Sequence, residues 1–140
     1  MQANLPTNYA HDRRAGDAGL DLRADLGLCK DAEIGEGIYP VTTGLTGADL
    51  NLEPGHVALV VPRSGLAAKG ITVANSPGVI DSGYTGRIVV LLENRSGHTH
   101  VVHHGDRIAQ LIIVPSLHEQ YFGDGDGERG TQGFGSSGTT

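Results

Sequence analysis

Apolar residues in this chain come in short bursts and not in helical stripes. No segment of ten or more residues repeats its apolar positions at i, i+3, i+4 and i+7. Residues 57–61, 71–74, 88–92, 101–102 and 108–114 are instead compact apolar runs bounded by Gly, Pro, Asn or Asp. This pattern predicts strands and an all-β fold. Several runs lack strict alternation of apolar and polar residues, which predicts strands covered on both faces, as in a sandwich whose outer face meets another sheet or subunit. One short helical turn is expected over residues 64–69, with Ser64 as N-cap and Leu66, Ala67, Ala68 and Lys69 as helix formers before Gly70. Beyond Val114 the character changes. Residues 123–140 are rich in glycine and end in Ser and Thr, with Phe134 as their one apolar anchor. Such a segment cannot bury enough surface to fold alone, so the chain divides into a β domain over residues 1–122 and a flexible glycine-rich C-terminal arm over 123–140.

Composition narrows the function classes. Ten Lys and Arg against sixteen Asp and Glu give a net charge of −6 over 140 residues. A general basic surface for nucleic acid or anionic lipid is therefore excluded, and any anionic ligand must be held locally. With 22 Gly, two Phe and no Trp, the core must be aliphatic. A single cysteine, Cys29, cannot form an internal disulfide, and residues 1–14 lack an apolar signal segment, so a cytoplasmic protein without a membrane span is expected.

Several groups could carry chemistry. Residues 133–138 formally match a dinucleotide fingerprint, but no helix can follow so close to Thr140. Their closely spaced N–H groups, with Ser136, Ser137 and the Arg129 guanidinium, could still wrap a polyphosphate. The segment Pro62-Arg63-Ser64-Gly65 ends a strand and opens the helical turn, a second place for an anion. Residues 78–86 read as a glycine-framed hairpin with a carboxylate, Asp81, and an aromatic, Tyr84. Asp17 and Asp21 lie an even number of residues apart, so on a strand they would share a face and could meet Mg²⁺ or its waters. His98 and His100 have chelating spacing but no neighbouring third ligand, and residues 124–128 lack the spacing of a calcium loop.

Taken in order, residues 18–24, 62–67, 75–86, 105–112 and 129–138 resemble the five motifs of the homotrimeric deoxyuridine triphosphatases (dUTPases), over nearly the whole chain. The resemblance implies a jelly-roll-like β-sandwich or barrel, assembled as a homotrimer with shared sites. It also implies hydrolysis of dUTP to dUMP and pyrophosphate with Mg²⁺, which limits uracil in DNA and supplies dUMP for thymidylate synthesis. Asp81 would be the general base for water attacking the α-phosphorus. Tyr84 would pack on the deoxyribose and exclude a 2′-hydroxyl, while Asn75 and the backbone around Gly78 and Ile80 would read uracil. Asp21 would hold Mg²⁺ through its waters, and Arg63, Ser64, Gly65 and Gln110 would bind the triphosphate. Arg129, Phe134, Gly135, Ser136 and Ser137 would come from another subunit's arm, with Phe134 stacked on the base.

The chain departs from the family pattern at Thr85 and Arg87, where Arg and Glu are usual, which places a local ion pair in question. A related alternative is dCTP deaminase, alone or bifunctional, whose catalytic Glu would fall at Leu91 or, in a shifted register, Glu93. A non-catalytic trimeric β module is a third possibility, opposed by the intact set Asp81, Arg63, Ser64, Gln110 and Arg129.

Overall fold

The computed structural model describes residues 2–10 and 13–123. In chain order its elements are α1 (Thr7–Ala10), β1 (Leu20–Arg23), β2 (Asp31–Ile34), β3 (Gly37–Thr46), α2 (Gly47–Leu50), β4 (His56–Val61), α3 (Ser64–Ala67), β5 (Ile71–Val73), β6 (Gly78–Asp81), β7 (Arg87–Asn94), β8 (His100–His103), β9 (Arg107–Pro115) and α4 (His118–Phe122). The strands pair antiparallel in three sheets, ordered β1-β9-β4-β6, β3-β7-β5 and β2-β8. This is the all-β, jelly-roll-like architecture expected, in which strands distant in sequence become neighbours.

Alternation supplies the core. Along β7 every second residue from Ile88 to Asn94 is buried and the residues between are partly exposed. Leu22, Leu45, Val90, Leu92 and Val102 are at most 1 % exposed. Fully burying a side chain of this kind contributes roughly 1.5–3 kcal/mol. Within one chain, then, these strands are sealed on one face, and the expected second cover is only partial.

Asn94 and Tyr9 find their hydrogen-bond partners locally. Asn94, 1 % exposed, donates from Nδ2 to the carbonyls of Ile34 (2.9 Å) and His98 (2.8 Å), and its Oδ1 accepts from the Ser96 amide (2.9 Å) and hydroxyl (2.7 Å). That set uses the full capacity of the carboxamide and joins β7 to β2. Tyr9 of α1 accepts the Arg23 amide at 2.9 Å and donates to the Arg23 carbonyl at 3.2 Å, and burial pushes its pKa upward.

Four sequence expectations are corrected. Among the described residues helical turns are four, not one, because α1, α2 and α4 are too short to show a 3.6-residue period. In α3 the N-cap is Arg63, in extended conformation and without a side-chain cap bond, so Ser64 is the first helical residue, and the helix ends at Ala67 before Gly70 at φ 87°. Asp17 is not on a strand with Asp21; it sits in the preceding turn, where its Oδ2 accepts the Arg14 amide at 3.0 Å. Residues 78–86 are not a hairpin either. β6 pairs with β4 and β7 with β3 and β5, so residues 82–86 carry the chain from one sheet to the other.

Candidate functional site

Three adjacent strands build a polar corner. Asp21 of β1 stands opposite Gln110 of β9, and Gln110 opposite Val61 of β4, so all three point to one face, and Pro62, Arg63 and Ser64 follow at once. Gln110 Nε2 donates to the Pro62 carbonyl at 3.1 Å. Room for it comes from Gly19, where a Cβ would lie 2.5 Å from Gln110 Oε1. Arg63 Nε is 3.2 Å from Asp21 Oδ1, Arg107 Nη1 is 3.7 Å from Asp21 Oδ2, and Arg63 Nη1 donates to the Arg107 carbonyl at 3.3 Å. These groups are part-exposed, so each ion pair contributes about 0–1 kcal/mol and orients more than it stabilises.

Beside this corner opens a cleft of about 340 Å³ whose lining includes Arg23, Arg63, Arg107, His100 and Asp106. Three guanidinium groups here give an acidic protein a local place for a polyanion. Sequence reading did not single out Arg23 and Arg107; the signal was their place inside the first and fourth motifs, next to Leu22 and Ile108. Gly65 opens outward with nothing within 4 Å of an added Cβ, so the chain itself does not require glycine there, while a ligand approaching the backbone would.

The donor set bears on a metal. No cluster of three or more His, Cys, Asp or Glu that could hold an ion is found among the described residues. Asp21, a single carboxylate beside two guanidinium groups, is a donor that a hydrated Mg²⁺ would meet through its waters.

The second group surrounds β6. Gly78 is buried, and a Cβ there would lie 3.4 Å from both Asn75 Nδ2 and Val60 Cβ, which places the Asn75 carboxamide against the strand. Ile80 turns its side chain into the core, leaving its backbone as the part that can read a ligand. Asp81 is exposed and lies opposite Val57. The Tyr84 amide donates to the Asp81 carbonyl at 3.1 Å, and its hydroxyl donates to the Arg87 carbonyl at 2.7 Å. The Arg87 guanidinium donates from Nη1 to the Thr43 carbonyl at 3.4 Å. On β7, Glu93, the shifted candidate for a deaminase, is bound to Arg95 at 3.0 Å.

The two groups occupy opposite corners of one sheet face. From the Asp21–Gln110 row to the Val57–Asp81 row there are four residue steps, and from β1 to β6 three strand spacings. Asp21 and Asp81 of one chain are thus roughly 20 Å apart. Between them the same face carries Val57, Leu59, Val61, Val79, Ile112 and Val114, with Val79 64 % exposed. Arg129, Phe134, Gly135, Ser136 and Ser137 lie outside the described residues.

On the β2-β8 pair, His103 bonds Asp31 through Nδ1, and that hydrogen bond raises the imidazole pKa.

Comparison with known proteins gives the family. The model of the dUTPase family matches residues 6–138. The deoxyuridine 5′-triphosphate nucleotidohydrolase of Solibacter usitatus is 45 % identical, covering 98 % of this chain and 90 % of the relative. That of Gloeobacter violaceus is 47 % identical over 96 % and 88 %. Among solved structures, the dUTPase of Streptococcus mutans superposes with a TM-score of 0.65 at 29 % identity, covering 82 % of this chain and 95 % of that one. The EIAV dUTPase gives 0.64 at 28 %, over 74 % and 80 %.

Proposed function

Since the chain belongs to the dUTPase family and hydrolyses dUTP to dUMP and pyrophosphate, we propose that it does so in sites shared between copies of a homotrimer. One observation carries this reading. The groups that would meet the triphosphate and the carboxylate that would activate water are separated by roughly 20 Å within a chain, yet both must reach one α-phosphate. The half-covered aliphatic face between them is the surface on which another copy would pack, bringing one chain's Asp21 corner to its neighbour's Asp81 corner.

In such a site Arg63, Ser64, Gly65 and Gln110 bind and orient the triphosphate, with Arg63 exchanging its Asp21 partner for phosphate oxygens. Asn75 and the backbone of Gly78 and Ile80 read uracil, and Tyr84 covers the deoxyribose. Asp81 accepts a proton from water as the water oxygen bonds to the α-phosphorus. The bond from that phosphorus to the bridging oxygen of the β-phosphate then breaks, releasing pyrophosphate. Mg²⁺, when bound, neutralises charge on the phosphates and the leaving group. Arg129, Phe134, Gly135, Ser136 and Ser137 of the arm, residues 123–140, close over the nucleotide and exclude water from the side reactions. The enzyme works in the cytoplasm, where it keeps uracil out of DNA and supplies dUMP. No described helix is long and apolar enough to cross a membrane.

Asp81→Asn is the direct test. Turnover of dUTP should fall about 10²-fold or more, while calorimetric binding of dUTP and the oligomeric mass stay near wild type. Near-normal turnover removes Asp81 from the mechanism.

A further inference from the structure

We propose that α2 is a positioning element for the sugar side of the site and that Gly47, its first residue, sets where Tyr84 stands. The inference rests on the reading of Tyr84 as the group that covers the deoxyribose.

Gly47 is buried, and its amide donates to the Gly86 carbonyl at 2.7 Å. A methyl group at position 47 would overlap the Tyr84 carbonyl oxygen and approach the Tyr84 carbonyl carbon at 2.8 Å and Cδ2 at 2.9 Å. The first two obstacles are backbone atoms, so no rotamer change relieves them. Any side chain at 47 must push the turn at residues 84–86 away by roughly 1 Å to regain ordinary contact. The ring is bounded on a second side by Gly86, where a Cβ would lie 2.8 Å from the Tyr84 hydroxyl and 3.0 Å from Cζ. Tyr84 therefore stands where two glycines leave space, with its hydroxyl held by the Arg87 carbonyl.

α2 can impose this because it is itself held. Thr46 and Asp49 form a capping box: Thr46 Oγ1 accepts the Asp49 amide at 3.1 Å, and Asp49 Oδ2 accepts the Thr46 amide at 2.9 Å. Leu50 is 4 % exposed and anchors the turn in the core. Asn51 closes the turn in the left-handed region, at φ 51°, with its amide donating to the Ala48 carbonyl. From outside, the Asn4 amide donates to the Asp49 carbonyl at 2.8 Å. When Tyr84 shifts, the gap that excludes a 2′-hydroxyl opens, so a residue that touches no substrate governs choice of sugar.

The test compares kcat/KM for dUTP and UTP in the full chain and in Tyr84→Ala, Gly47→Ala and Thr46→Val, each checked for native mass. Tyr84→Ala should cut the dUTP/UTP ratio at least tenfold. Gly47→Ala should cut it about tenfold, the scale expected when a contact group is displaced by an ångström or less. Thr46→Val, which removes one capping bond and adds no clash, should cut it about threefold while keeping dUTP turnover; it decides the matter if Gly47→Ala does not fold. A ratio unmoved by Tyr84→Ala overturns the sugar reading and the inference with it. If Tyr84→Ala collapses the ratio while the folded α2 variants keep it at wild type, α2 has no positioning role and the sugar reading stands.

Discussion

The Asp21 corner of the β1-β9-β4-β6 sheet and the surroundings of Tyr84 are ordered by different physics. Around Asp21 the chain uses long, part-exposed side chains whose charges answer one another: Asp21 with Arg63 and Arg107, Gln110 with the Pro62 carbonyl. Around Tyr84 it uses exclusion: a Cβ at Gly47 would meet the Tyr84 backbone, and one at Gly86 would meet the end of its ring. A polar corner of the first kind can rearrange at little cost, which would suit the proposed exchange of Asp21 for phosphate oxygens at Arg63. A steric corner of the second kind cannot, which suits rejection of a ligand larger by one oxygen.

Gly19 is where the contrast can be broken. Like Gly47, it faces a functional group at a distance a Cβ would not tolerate, 2.5 Å, but the obstacle is the end of the Gln110 side chain. Gly19→Ala should therefore be relieved by rotation of Gln110, lowering kcat/KM for dUTP about tenfold or less and leaving the dUTP/UTP ratio unchanged. Parallel assays with both nucleotides check this. A ratio that moves as far as in Gly47→Ala would mean that the two corners are not independent.

A smaller effect is expected at the β2-β8 pair. Asp31 raises the pKa of His103 by hydrogen bonding to it, so the folded state holds this proton more tightly than the unfolded chain does. The stability contributed is fully present below the unfolded value, about 6.5, and is lost as pH rises through the higher folded value. His103→Gln should flatten the dependence of Tm on pH across that window, with the largest loss of Tm on the acid side and kcat/KM at neutral pH unchanged. Thermal scans from pH 5.5 to 8 read this, and a Tm difference that grows toward alkaline pH would reverse the sign.

What the sequence made legible follows the same physics. β4, β7 and β9 are dense in Val, Ile and Leu, and their runs stand out between turn residues. β3 did not stand out, because Pro40 and Gly44 break its pattern. It is an edge strand, where a missing N–H is tolerated, and it is held by pairing with β7 and by the buried Thr43 hydroxyl, which donates to the Ile88 carbonyl at 2.7 Å. β2 is four residues long and half polar, too brief for periodicity. At the site, Asp21, Arg63, Gln110 and Asp81 were legible as members of ordered motifs. Gly47 was not, since its significance lies in a close approach to the Tyr84 backbone, which no local pattern encodes. The N-cap of α3 was placed one residue late because hydroxyl preference pointed to Ser64, whereas the extended backbone lies at Arg63.

The central claim is that each site draws its phosphate corner and its Asp81 corner from different chains. Arg63→Ala disables one corner and Asp81→Asn the other, so each variant alone should be nearly inactive. Unfolded together at equal amounts and refolded, with mixed assemblies verified by native mass spectrometry, they should recover about a quarter of the wild-type turnover, the fraction of sites that pair an intact Arg63 with a neighbour's intact Asp81 in a random closed ring. Mixed assemblies that turn over dUTP no faster than the separate variants would place both corners' work within one chain and contradict the account.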